Sequence, residues 1–314
     1  MMLGACSVSG PVTVATPVRT RGRVSASASA QKYGEVVGGR RAERMELARR
    51  EVLELTDKWM ADQNRDRLSL RATSPALARA VETLVESNPG RVDARETLTR
   101  DGGAAWGGTW EVFHAPHLVK LSKLVAFWTG GTQVDHVRYV IGMPSPDAST
   151  SGVAIESSVF YTDAPFGPGT GWAVASGTVA PLPADVAEKT AEKTSPATAA
   201  SSTLIHFDHF AMRDGEDVAE KSPLEAMDLD ASAWRKKVDA SEERNSWVSK
   251  LGTSFFFQSL AVFPTRYLDE DLCVFEFPPL GNVQIACRRL KPTATRVSQF
   301  SQQEDGERAD PTQE

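Results

Sequence analysis

Two periodicities divide the chain. Between residues 45 and 59 the apolar positions Met45, Ala48, Val52, Leu55 and Trp59 recur at spacings of three and four. That spacing gathers them on one helical face, with Arg and Glu filling the other. A second helix is predicted to start with Ser74 as N-cap and Pro75 in its first position, to bury Leu77, Val81, Leu84 and Val85, and to end at Asn88-Pro89-Gly90. From Trp106 onward the period changes to two. Eight strands are expected, at about 106–114, 133–142, 152–162, 171–180, 203–211, 254–263, 271–277 and 283–289, with turn residues such as Gly167-Pro168-Gly169 between them. Many short strands without interleaved helices imply antiparallel β structure, a barrel or a sandwich.

Two stretches interrupt this rhythm. Residues 185–202 contain Ala-Glu-Lys-Thr twice in succession and read as a disordered low-complexity linker. Residues 213–250 are acid-rich and read as a partly helical excursion anchored by Trp234, Val238 and Trp247, a surface suited to a protein partner. After Lys291 the pattern fades, and residues 293–314 are expected to be a disordered tail.

The last two strands allow their register to be worked out. Centring the turn on Leu280 pairs Phe277 with Val283, Phe275 with Ile285, Cys273 with Cys287 and Asp271 with Arg289, all on one face. A slip of one residue would mix Gln284 and Arg288 into that face. The register predicts an apolar interior closed at one end by an ion pair. Cys273 and Cys287 then face each other, either as two small buried hydrophobes or as a redox pair.

Charge and composition narrow the class. The net charge of -6 argues against a nucleic-acid partner, which selects for a basic surface. No apolar run approaches the ~20 residues of a membrane-spanning helix. Residues 1–34 carry Arg19, Arg21, Arg23 and Lys32 and no acid, in a Ser-, Ala- and Val-rich context. That is the pattern of an organellar transit peptide rather than a secretory signal. Residues 35–100 then form an N-terminal helical segment and 101–292 the β domain.

The sequence offers little for catalysis. There is no Gly-x-Ser-x-Gly elbow and no phosphate-binding glycine loop. Four of the five histidines fall in two HxxH spacings, His114/His117 and His206/His209. Residues three apart on a strand face opposite sides, so His206 and His209 cannot share a metal without a bulge. His114 and His117 flank Pro116 and lack an identifiable third ligand. No metal, no cofactor and no catalytic residue is expected. Phe255, Phe257 and Phe263 line one face of their strand, and Phe275, Phe277 and Ile285 join them through the hairpin register. An eight-stranded barrel so lined is either filled or holds one small ligand.

Gly108-Thr-Trp110 on the first strand resembles the opening of lipocalin-type barrels. That likeness implies that Trp110 plugs one end while Arg289 from the last strand lies over its ring; plain core packing of Trp110 is the alternative. Three further pieces, Leu84-Val-Glu-Ser-Asn-Pro89, Thr265-Arg-Tyr267-Leu-Asp269-Glu-Asp271-Leu272 and Gly281-Asn-Val-Gln-Ile-Ala-Cys-Arg288, resemble the plastid lipid-associated proteins, or plastid fibrillins. Cys273 stands where that family usually has Arg. Membership implies a lipocalin-like barrel with N-terminal helices. It also implies a chloroplast address at thylakoid or plastoglobule surfaces, and binding of a lipid, quinone or carotenoid without chemistry. Trp110 and the aromatic lining would be the ligand contacts; Tyr267, Asp269, Asp271 and Arg289 would be structural.

Overall fold

The computed structural model describes residues 26–88, 92–99, 103–129, 131–142, 152–163, 169–215, 221–222, 224–240, 262–278, 281 and 283–290. The chain divides into two compact units, Met1–Arg40 and Arg41–Glu314. Of the first, the described part is helical from Ala26, so helix begins inside the segment read as a leader.

The second unit is built on eight strands: β1 (Gly108–His114), β2 (Gln133–Ile141), β3 (Val153–Thr162), β4 (Gly171–Pro181), β5 (Ser202–Asp214), β6 (Val262–Leu268), β7 (Leu272–Phe277) and β8 (Val283–Arg289). Each pairs antiparallel with the next, and β8 returns to β1, closing a barrel-like ring. Among the described residues β5 and β6 pair at Ser202–Leu204 against Val262–Pro264. The β7–β8 register pairs Phe277 with Val283, Phe275 with Ile285 and Cys273 with Cys287, as the alternation predicts.

The sixth strand extends further than the sequence reading has it. It is described over Val262–Leu268 and runs through Pro264, which the pattern takes as a strand end, while the expected strand residues 254–261 lie outside the described residues. Proline is tolerated here beside an irregularity, the register shift between Thr265 and Tyr267. Phe255 and Phe257 lie outside the described residues, as does Trp247.

Among the described residues there are seven α-helices. Helix α1 (Ala26–Asp62) buries Ala48, Val52 and Thr56. Helix α2 (Pro75–Ser87) has Ser74 as its cap, the Ser74 hydroxyl accepting from Leu77 N at 3.1 Å. From Arg41 onward α1 joins α2 in packing on Phe113, Tyr267, Leu272, Val274 and Ala286. These alternate with the interior residues, so the two helices cover the outer wall of the ring rather than its end. A short helix α3 (Ala94–Thr99) follows. Helix α4 (Pro116–Thr129), placed between β1 and β2, was not expected. Leu118 and Val119 pack against the interior core, and the Ser122 hydroxyl accepts from Val134 N at 3.0 Å, tying α4 to β2.

Residues 184–200 are not a linker. They form α5 (Ala184–Lys193) and α6 (Pro196–Ala200), with Ser195 capping α6 through Thr198 N at 3.1 Å. The repeated Ala, Glu and Lys are good helix formers, and that preference outweighs the low complexity. Helix α7 (Ala231–Ala240) lies in the acid-rich excursion and buries Trp234 against Val140, Ala154 and Leu224.

At β1 both faces of the sheet are therefore covered. This is why Trp110 through His114 of β1 are all buried, polar residues included. On the outer wall Glu111 and Arg138 are direct cross-strand partners and both 2% exposed. Glu111 accepts from Leu68 N at 2.8 Å and faces Arg67 at 3.2 Å; Arg138 faces Glu225 at 3.3 Å. A buried charge is tolerated only with such partners.

Candidate functional site

The interior of the ring holds an apolar cavity. Its floor is Trp110 with Trp106, and its wall is Tyr139, Ile141, Ile155, Val179 and Ile205 on one side and Phe263, Phe275, Cys273 and Cys287 on the other. Thr203 and Thr265 complete it. The space open to the centre of a water molecule is about 30 Å³, room for one or two waters. Of the expected lining residues, Trp110, Phe263 and Phe275 form the wall. Phe277 and Ile285 belong to the same core without reaching it.

The floor is an indole sealed by a cation. Trp110 is 2% exposed and donates its Nε1 hydrogen to Trp106 O at 2.8 Å. The Trp106 indole donates in turn to Thr97 Oγ1 at 3.1 Å. Trp110 and Arg289 are register partners on β1 and β8, and the Arg289 guanidinium carbon lies 4.4 Å from the Trp110 ring centre. The guanidinium also donates to Ala105 O. Burial pulls the Arg289 pKa below its ordinary value.

The end pair differs from the expected salt bridge. Arg289 N donates to Asp271 O at 2.8 Å, so the backbone register holds, but the Asp271 carboxylate is gripped by Arg49 of α1 at 2.7 Å. Arg49 also meets Asp269 at 2.6 Å. Asp269 accepts from Tyr267 OH at 2.6 Å and, through its other oxygen, from Asp271 N and Leu272 N at 2.7 Å. These bonds hold the Asp269 carboxyl below its ordinary range despite burial. The Tyr-Leu-Asp-Glu-Asp-Leu segment is thus a tight turn between β6 and β7 that fastens α1 to the ring.

Every titratable group facing the cavity is held neutral. Burial pushes the Cys273 thiol up to about 12 and the Cys287 thiol well above its ordinary value. The Tyr139 hydroxyl is likewise raised. Both cysteines are free. The Arg289–Asp271 bond marks 271/289 as a hydrogen-bonded pair, so 273/287, two residues along, is one too; there Cα atoms stand ~5.5 Å apart and side chains are less close than in the alternate pairs.

At the far end, His117 stacks on Phe277 with centroids 5.3 Å apart, and Phe277 stacks on Phe263 at 5.7 Å. Burial and the neighbouring His117 push the His114 imidazole down to about 4. The second HxxH pair departs from the strand rule. A bulge in β5 sets His206 opposite Thr178 and His209 opposite Ser176, so both histidines share the outer face while Phe207 and Phe210 turn inward. Among the described residues no group of three or more His, Cys, Asp or Glu is placed to hold a metal. No described helix is long and apolar enough to cross a membrane.

The wall residues Tyr139, Ile141, Ile155, Val179 and Ile205 were not singled out from the sequence. The alternation of residues 133–142, 152–162, 171–180 and 203–211, treated as the final hairpin is, supplies them. Comparison of the chain with protein-family profiles, with curated proteins and with solved structures finds no match.

Proposed function

We propose that this chain is a non-catalytic binding protein for an apolar small molecule, a lipid, a quinone or a carotenoid, taken up inside the ring. The observation that carries the reading is the cavity between Trp110 and the Phe263/Phe275 pair, whose titratable neighbours Cys273, Cys287 and Tyr139 are all kept uncharged by burial. Such a wall offers an apolar tail burial at ~25 cal/mol per Å² and gives a charged substrate nothing. On this reading the chain is a lipocalin-like, divergent relative of the plastid lipid-associated proteins. Residues 1–34 are its chloroplast address, and it works at thylakoid or plastoglobule surfaces. The Arg289–Trp110 stack and the Tyr267-to-Leu272 turn support the likeness. Extraction of the natively purified protein with organic solvent, followed by mass spectrometry, tests it. One apolar molecule per chain is expected, and none speaks against it.

A second reading rests on the cavity's size. Space for one or two waters describes an almost filled ring, and a filled ring suits an assembly factor that docks a protein through residues 213–250. Deleting residues 224–240 distinguishes the two: an assembly factor loses its partner, whereas a carrier keeps its extractable lipid.

A further inference from the structure

Outside the ring, on the face away from the apolar cavity, a second cavity lies against β2 to β5. It is lined by Arg138, Glu156, Trp172, Arg213, Lys221 and Ser222, among others, with about 20 Å³ open to water centres. Three cations and an indole converge on space enough for one compact polar group.

The carboxylates nearby are already committed. Glu225 accepts from Thr109 Oγ1 at 2.6 Å, from Ser222 N at 2.8 Å and from Arg138 Nη1 at 3.3 Å. Glu156 is fully buried and accepts from Ser158 Oγ and from Trp234 Nε1, each at 3.2 Å. Burial pushes its carboxyl toward the neutral form. Arg138 is thus balanced by Glu225, and Arg213 is drawn toward the buried Glu156 carboxyl, to which the Ser222 side chain also hydrogen-bonds. The Trp172 indole, whose ring lies 4.8 Å from the Arg138 guanidinium carbon, has its Nε1 buried and without an acceptor. A buried N–H left unpaired is costly, and water or a ligand oxygen is its usual partner.

We propose that this outer cavity binds a phosphate-class oxyanion, held by Arg213 and Lys221 and accepting the Trp172 indole hydrogen. Arg138 fixes the indole from behind by stacking on its ring, and Ser222 sits at the rim. The tetrahedral oxyanion comes either free from solution or as a lipid headgroup.

The indole N–H resonances of the full chain, followed while inorganic phosphate is titrated at constant ionic strength, test this. One indole resonance should shift and saturate, and it should be the one missing from Trp172→Phe. The double variant Arg213→Gln/Lys221→Gln removes two charge-assisted contacts and should weaken binding by at least about tenfold. Vesicles of phosphatidylcholine doped with phosphatidic acid distinguish the sources. Saturation with phosphate in solution assigns a free anion, and a response to the doped vesicles alone assigns a headgroup. A non-saturating drift shared by several indoles, or binding equal in the double variant, overturns the proposal.

Discussion

Arg289 and Trp110 are register partners across the β8–β1 seam, and the guanidinium lies over the indole 4.4 Å from its centre. The seam that closes the sheet into a ring is therefore also the place where a cation covers the cavity floor. Truncating Arg289→Ala should cost ~0.5–2 kcal/mol, whereas Trp110→Ala, which empties the floor, should cost ~3–5 kcal/mol. Denaturant unfolding of the two single variants and the double variant reads both. Strict additivity in that cycle would show that the contact is not energetically coupled.

Acid should weaken the fold through His114. Its imidazole titrates near 4 in the folded chain and near ~6.5 when unfolded. The unfolded chain therefore binds the proton first as pH falls. The stability contribution is complete above ~6.5, declines from there to about 4, and is constant below, for a loss of up to ~3 kcal/mol. In His114→Gln this part of the unfolding profile should be shallower, the buried His117 keeping its own share. A wild-type slope retained between those pH values in the variant would assign the loss to other groups.

The thiols should be inert. At pH 8 both Cys273 and Cys287 are protonated, since burial raises each far above that pH. Alkylation should then proceed only as fast as the ring opens, and denaturant should accelerate it sharply. Rapid labelling of either thiol in the folded chain, or recovery of a 273–287 disulfide after mild oxidation, would contradict this.

The outer-wall charges should be needed as a set. Arg138→Met leaves Glu225 and Glu111 without their buried partner and should cost ~3–5 kcal/mol. Arg138→Met combined with Glu225→Gln and Glu111→Gln should recover part of that loss. Failure of the triple variant to improve on the single one would mean that the guanidinium acts through packing on Trp172 instead.

The ring was legible because local alternation carries most of its information. For β7 and β8, Phe275, Phe277, Ile285 and the cysteines fall on one face in only one register, and a tight turn leaves no other freedom. Helix α4 was obscured because Pro116 and His117 suggest a loop mouth; the Pro at a first helical position and Leu118-Val119 were the available signal. Helix α5 was hidden by repetition that imitates a linker. Asp271 was assigned to Arg289 because pairing on a strand is visible in sequence, whereas Arg49, more than two hundred positions away, wins through tertiary packing. The polar outer cavity had no local signature, since its residues come from four strands and the excursion after β5.

Quenching of indole fluorescence by a short-chain quinone tests the apolar interior most directly, because Trp106 and Trp110 form the cavity floor. Saturable quenching at one quinone per chain is expected, lost when Ile155→Phe fills the cavity while the fold, followed by circular dichroism, is kept. Quenching that never saturates, or that is the same in Ile155→Phe, would mean that the ring takes up no apolar guest.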